Sequence, residues 1–335
     1  MKLKPKISRP LVGAVCIIIL AELIGVHFSY AQELTPAVEP VNTDVFTDVQ
    51  YGHSEYLALK YLKEKGVISG YADGSFKPDN LINRVEALKI ILAAEGKITD
   101  DYVKNNSLGG LEFSKNAELI KFTDIYRSMW YYPYIKKGAE INIIGGYPDG
   151  TFKPEQTVNK AESFKMTMLA DQTPLPAVTE NPFVDVPAGE WFAPYFLEGK
   201  NRQIVYITMA GLANPGREMT RSTFAELVYR YLRSKEGCMY GGGSFYSDYF
   251  EGRGTSSGEP YRAAELTAAN RTLPFNTMIK VTNLENGKSV TVRVNDRGPY
   301  ITGRVVDLSK TAFEQIAYTG QGVIWVEYQV VTPAT

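Results

Sequence analysis

Gly70-Tyr71-Ala72-Asp73-Gly74-Ser75-Phe76-Lys77-Pro78 returns as Gly146-Tyr147-Pro148-Asp149-Gly150-Thr151-Phe152-Lys153-Pro154, and this near-identity makes the first part of the chain a repeat. In both loops an Asp-Gly pair sets a tight turn. Upstream of them stand Phe46-Thr47-Asp48-Val49 and Phe122-Thr123-Asp124-Ile125, and Phe183-Val184-Asp185-Val186 opens a third copy. At fixed distances from each Phe come a proline (Pro78, Pro154, Pro215) and then a basic residue (Arg84, Lys160, Arg221). The third loop, around Gly211-Leu212-Ala213-Asn214-Pro215, departs from the other two. Each copy reads as helix, loop, helix: Tyr56, Leu59, Leu62 and Lys63 mark a first helix. Asn83, Asn159 and Thr220 stand as N-caps of a second, with Glu86 and Glu162 placed as in a capping box. One hairpin of about 50 residues cannot cover its own apolar face, so the copies should pack on one another.

These residues resemble surface-layer homology repeats, over roughly 44–97, 120–171 and 181–233. The resemblance implies an all-α bundle of three repeats that binds acidic, often pyruvylated, secondary cell-wall polymers in grooves between repeats. Matching positions are Arg84, Lys160 and Arg221 for the base, and Asp48, Asp124 and Asp185 for the acid. Trp130 and Trp191 stand eight residues after their Phe, placed to stack on sugar rings; the first copy has Ser54 there. A guanidinium matches a carboxylate bidentately, so Lys160 should hold an acidic group less well than an Arg. The alternative for the acids is helix capping, and for the Trp pair core filling.

The C-terminal part changes period. Met278-Ile279-Lys280-Val281-Thr282-Asn283 runs through Glu285-Asn286-Gly287-Lys288 into Ser289-Val290-Thr291-Val292-Arg293-Val294-Asn295. Asn-Gly between alternating β-branched residues predicts a hairpin. A short helix over about 309–317 and a last strand through 323–328 follow. Gln172 to Pro182 and the Gly-rich Ser234 to Gly243 read as linkers. Asp296 shares parity with Val290, Val292 and Val294, so it should sit at the inward edge, where partial burial raises a carboxyl pKa. The alternative is an Asp hydrogen-bonded within the Asp296-Arg297-Gly298-Pro299 turn.

Four blocks in order resemble the double-psi β-barrels of rare lipoprotein A type, over about 240–332. They are Gly252 with Thr255-Ser256-Ser257-Gly258-Glu259, Leu266 to Phe275, Val292 to Tyr300, and Arg304 to Ser309. The chain is thus expected to be multidomain, an all-α bundle followed by a mainly β barrel. Catalytic members of that family are lytic transglycosylases, which cleave peptidoglycan glycan strands by closing the sugar's own 6-hydroxyl onto the anomeric carbon. By this resemblance Asp296 is the catalytic acid/base and Glu259 a second acid, with Asn270, Arg297 and Tyr246 binding glycan. One carboxyl can serve as acid and then base. Catalytic relatives carry His where Asn270 stands, and Asn cannot shuttle a proton near neutral pH.

At the other end, Lys2, Lys4, Lys6 and Arg9 precede an apolar run from Leu11 to Ala21, and Ser29-Tyr30-Ala31 supplies a cleavage site. Residues 1–31 therefore read as a signal peptide, leaving no transmembrane anchor after cleavage and a secreted, envelope-associated protein. Cleavage removes four of the 36 basic and one of the 37 acidic side chains, which leaves no basic excess for nucleic acid. It also removes Cys16 and His27, so Cys238 and His53 remain alone of their types. That argues against a His-rich metal centre, a Ser or Cys triad and an internal disulfide; no cofactor is expected.

Overall fold

The computed structural model describes residues 45–50, 52–110, 122–205, 207 and 211–331. The expected signal peptide and the outermost positions of the sequence-derived domain ranges (44, 120, 121 and 332) lie outside the described residues. The helical part carries α1 (Tyr56–Glu64), α2 (Arg84–Ala94), α3 (Asp100–Asn106), α4 (Tyr132–Glu140), α5 (Lys160–Ala170), α6 (Ala193–Asn201) and α7 (Arg221–Lys235). Helix α3, capped by Thr99, lies outside the repeat pattern and was not anticipated. The capping reading holds in detail: Asn83 accepts from the Glu86 amide at 2.9 Å while Glu86 accepts from the Asn83 amide at 3.2 Å. Asn159 and Glu162 repeat the exchange, and Thr220 does so with Thr223. Just ahead of these caps, isolated bridges Leu81↔Thr220, Asn83↔Thr157 and Asn159↔Glu218 tie each copy to the other two. Leu59, Leu62, Phe76, Leu88, Phe152, Phe164, Phe196 and Phe224 fill the shared core, each contributing about 1.5–3 kcal/mol by burial.

The three acids do something that neither sequence reading anticipated. Asp48 accepts from the amides of Phe76 and Lys77 at 2.8 and 2.7 Å, and Asp124 from those of Phe152 and Lys153 at 2.8 and 2.7 Å. Asp185 does the same to Ala213 and Asn214, both at 2.7 Å. Both oxygens of each carboxylate are thus spent on a loop whose second residue has positive φ (Lys77 59°, Lys153 57°, Asn214 53°). These acids staple loops and cap no helix. Asp124→Ala should therefore cost about 2–4 kcal/mol, from two charge-assisted bonds to backbone amides. Urea unfolding would measure it, and Asp124→Asn, which keeps one acceptor oxygen, should recover roughly half.

The remaining strands close into a barrel. They are β1 (Met239–Phe245), β2 (Thr267–Ala269), β3 (Met278–Asn283), β4 (Ser289–Asp296), β5 (Arg304–Leu308) and β6 (Ile324–Val330), ordered β1-β5-β2-β4-β3-β6. β1 with β5 and β2 with β4 are parallel, and every other pairing is antiparallel. This six-stranded closure is consistent with a double-psi barrel. Ile279, Val281, Val290, Val292, Val294, Val306, Leu308 and Val326 fill the interior, with Phe313 from α8 (Lys310–Ile316) against them. The Gly-rich stretch read as a linker instead ends α7 and begins β1. A Cβ on Gly241 would meet Val305 Cγ1 at 2.4 Å, so glycine is needed for the close approach of β5.

Helix α7 is fastened to the barrel by one buried network. Glu327 of β6 accepts from Arg233 Nη2 at 2.9 Å, the Tyr229 hydroxyl at 2.9 Å and the Tyr240 hydroxyl at 3.2 Å. Burial pushes both phenols far up in pKa, so they remain donors to the carboxylate. Cys238 lies buried in the same region, its thiol pushed up to about 11 by burial first and then by the Glu327 charge.

Candidate functional site

Three strand ends bring the chemistry together. Ala269 of β2 pairs with Asp296 on one side and with Asp307 on the other, and Asp307 pairs in turn with Ser244. Two carboxylates thus flank a small residue in one cross-strand row, their backbones about 10 Å apart at two strand spacings. The floor between them is low: a Cβ on Gly298 would lie 3.9 Å from Ala269 Cβ and 4.0 Å from Asp307 Oδ2. Asp307 was not singled out in the sequence, because its partnership with Asp296 exists only once β5, β2 and β4 are side by side. Its carboxylate is engaged by Ser244 Oγ and Arg304 Nη2.

Asp296 is half-buried as its parity suggested, but its acidity moves the other way. Its Oδ1 accepts from the Ser256 amide at 2.8 Å, Ser256 Oγ at 2.6 Å and the Arg297 amide at 2.7 Å. Its Oδ2 accepts the Tyr246 hydroxyl at 2.5 Å. Burial works to raise the pKa, yet these donors outweigh it and hold the carboxyl below the usual Asp value. Tyr246 shifts up, through burial first and then the Asp296 bond, and keeps its proton. At rest the site therefore presents a carboxylate, hydrogen-bonded by its turn and also by the 255–259 loop.

The other expected residues divide. Tyr246 meets Asp296 directly. Glu259 does not: Arg293 donates to it bidentately at 2.9 and 2.8 Å and Asn295 Nδ2 adds a third bond at 3.3 Å. The Arg293 bonds lead the lowering of its pKa. Residues 293 and 295 have the opposite parity to Asp296, so the loop that was expected to supply Glu259 supplies Ser256 instead. Asn270 is buried, its Oδ1 accepting from the amides of Thr272 and Leu273 and its Nδ2 donating to Val305 O, with the Tyr328 hydroxyl also bonded to its side chain, so it staples its loop. Arg297 packs its guanidinium 3.8 Å from the Phe275 ring centroid and donates to Asn270 O at 3.2 Å.

Arg271 and Tyr300 were read in the sequence only as members of the motif blocks, and Tyr249 and Phe250 were not singled out. Arg271 donates to the carbonyls of Pro299, Ile301 and Arg304, holding the segment after Gly298 in place. That segment displays Tyr300, which is 80% exposed beside Gly298. Tyr249 is exposed with the Arg253 guanidinium 3.6 Å from its ring centroid, and Phe250 packs edge-on to Tyr246 at 5.7 Å. Exposed aromatic faces beside paired carboxylates suit a sugar ring.

In the helical part the three basic residues each reach into the loop of another copy. Arg84 donates to Phe152 O at 3.0 Å, Arg221 to Phe76 O at 2.9 Å and Lys160 to Ala213 O at 2.7 Å. Burial lowers the Lys160 pKa to about 8. Trp130 and Trp191 are 56% and 51% exposed, which removes the core-filling alternative. No helix among the described residues is long and apolar enough to cross a membrane. No cluster of three or more His, Cys, Asp or Glu able to hold a metal ion occurs among the described residues.

Comparison with known proteins separates the same two parts. Residues 241–328 match the lytic transglycolase family model, and residues 45–88 and 121–162 match the S-layer homology domain model. A Campylobacter jejuni protein named endolytic peptidoglycan transglycosylase RlpA is 51% identical over 88 residues, covering 26% of this chain and 32% of its own length. A Nostoc protein named probable endolytic peptidoglycan transglycosylase RlpA is 44% identical over 120 residues, covering 35% of this chain and 32% of its own. A solved Clavibacter michiganensis expansin mutant in complex with cellohexaose aligns at 20% identity and a TM-score of 0.25, over 29% of this chain and 52% of that one. The chain spans about a third of the length of these curated relatives. Its C-terminal part is similar to lytic transglycosylases, and its helical part carries S-layer homology repeats.

Proposed function

We propose that this protein is a secreted, wall-anchored endolytic lytic transglycosylase acting on the MurNAc–GlcNAc strands of peptidoglycan. Three helical repeats, the third degenerate, would form the bundle that holds it to an acidic secondary wall polymer. The observation that carries the enzymatic reading is the half-buried Asp296 carboxylate, set in a row with Asp307 and rimmed by exposed aromatics. A sugar seated over Asp296 strips its water and competes for Ser256 and Tyr246, and both effects raise its proton affinity. The carboxyl then donates its proton to the leaving glycosidic oxygen as the C1–O bond breaks. The 6-hydroxyl oxygen closes onto C1 and its proton returns to Asp296, so no water is consumed. Asp307, paired with Arg304, would supply a second, partly neutralised negative charge toward the cationic anomeric carbon.

The full chain, incubated with purified sacculi, should release muropeptides ending in 1,6-anhydro-MurNAc. A second reading, a glycan-binding, wall-loosening protein without turnover, is favoured by the lowered resting pKa of Asp296, which keeps it ionised, and by Asn270 in place of His. Retention on sacculi without release would select it.

Tyr246→Phe separates the roles of Tyr246 and Asp296. Losing the hydroxyl removes one of the donors that hold Asp296 low, so its pKa should rise. Because Asp296 must be protonated to act as the acid, the alkaline limb of the pH–rate profile should move up. An unmoved limb with reduced affinity would make Tyr246 a sugar-binding residue only.

A further inference from the structure

The segment after Asp296 and the last strand meet over β1, on the outside of the barrel. Gly242 of β1 pairs with Arg304 on one side and with Trp325 on the other, so these two stand level, about 10 Å apart at two strand spacings. A Cβ on Gly242 would lie 3.2 Å from both Arg304 Cγ and Val323 Cγ1, so both side chains lean over β1 on one face. That face is the outer one, because a Cβ on the next residue, Gly243, would meet the core side chains of Val326 and Val306. Trp325, directly opposite Gly242, shares the outer face. Part of this face is taken: Glu327 and Tyr240 meet Tyr229 and Arg233 of α7. Beyond them Val323 is 52% and Trp325 38% exposed.

Tyr300 and Ile301, both exposed, carry the same surface to the acid row. Tyr300 Cδ2 and Asp307 Oδ2 each lie 4.0 Å from where a Cβ on Gly298 would stand. Arg304 bridges the two regions, its head paired with Asp307 and its stem against Gly242. The result is one strip, Tyr300, Ile301, the Arg304 stem, Val323 and Trp325, running from the acid row to α7, where Arg230 stands 6.0 Å from the Trp325 ring. It is held in shape before any ligand arrives. Gly303 O accepts from the Gly242 amide at 2.8 Å, and Arg271 holds the carbonyls of Pro299, Ile301 and Arg304. A ligand lying on it therefore meets little ordering cost. The strip is apolar and aromatic, its one charge is engaged by Asp307, and it is longer than one sugar ring. An uncharged polymer with C–H faces fits it, and continuity with the acid row makes that polymer the strand held there.

We infer that Tyr300, Ile301, Val323 and Trp325 form extended subsites for the glycan strand on one side of the scissile bond, so that affinity rises with strand length. This rests on the reading that the acid row takes a glycan strand. The probes are peptide-free GlcNAc–MurNAc strands of graded length. Calorimetry on the full chain carrying Asp296→Asn reads their binding, and product release by the unblocked chain reads turnover. Trp325→Ala should weaken only strands long enough to reach it, by about 10-fold, the scale of one aromatic stack. Tyr300→Ala, next to the acid row, should weaken short and long strands alike. Trp325→Phe should restore the long-strand affinity. Val323→Asn, which leaves Trp325 and Arg230 in place, should also penalise long strands and guards against a Trp325 variant that disturbs α7. In turnover the Trp325→Ala loss should fall on KM rather than kcat, as for contacts remote from the reacting bond. Equal affinity at every length, or a folded Trp325→Ala variant that binds long strands like its parent, overturns the strip even if anhydro ends are released. Binding that depends on length and on Trp325, with no release by the unblocked chain, upholds the strip and overturns the enzymatic reading. No binding at any length overturns both.

Discussion

Asp296→Asn should lower the release of anhydro-muropeptides by about 10²–10⁴-fold, the loss attributed to a positioned acid/base. The amide keeps the shape of the side chain and one oxygen for the Ser256 and Arg297 donors, so the turn should survive. What disappears is the transferable proton. Retention on sacculi should be unchanged, because the aromatic rim and the repeats are untouched. Assaying release and retention on the same preparation separates chemistry from binding. A variant as active as wild type would remove Asp296 from the mechanism and move attention to Asp307.

The second large effect is structural. Arg233→Leu leaves Glu327 buried with two phenols and no counter-charge, and breaking such a pair from one side costs about 3–5 kcal/mol. Because Glu327 lies on β6 and Arg233 on α7, the loss falls on the junction between barrel and helices. Calorimetry should show the wild-type transition shifting down and splitting, with the barrel and the helical part melting separately. Arg233→Leu combined with Glu327→Leu should recover part of the loss, since the stranded charge is gone even though Tyr229 and Tyr240 then lack their acceptor. A single variant that melts like wild type would show that the network adds nothing to the junction.

What was readable in the sequence was local. The paired Asp-Gly loops, the Asn83 and Asn159 capping boxes, the Asn286-Gly287 hairpin and the inward parity of β4 all depend on residues within a few positions of each other. What escaped depends on closure. Asp48 finds its amides beyond Asp73 and Gly74, in the next turn of chain, and Glu259 meets Arg293 only when the loop folds over β4. Asn270 was expected to bind glycan, yet packing commits its side chain to backbone groups of three other residues and to Tyr328. Asp307 becomes a neighbour of Asp296 through β2, a strand of only three residues that no periodicity reveals. The acidity of Asp296 failed for a related reason: parity foretold its burial, but not the Ser256 and Tyr246 donors arriving from other segments.

Isotope labelling tests the proposed chemistry most directly. Sacculi digested by the full chain in H2¹⁸O should yield glycan fragments whose new MurNAc ends are 1,6-anhydro and carry no ¹⁸O, because the 6-hydroxyl and not water closes onto C1. Reducing ends bearing ¹⁸O would contradict the account, making the barrel a hydrolase.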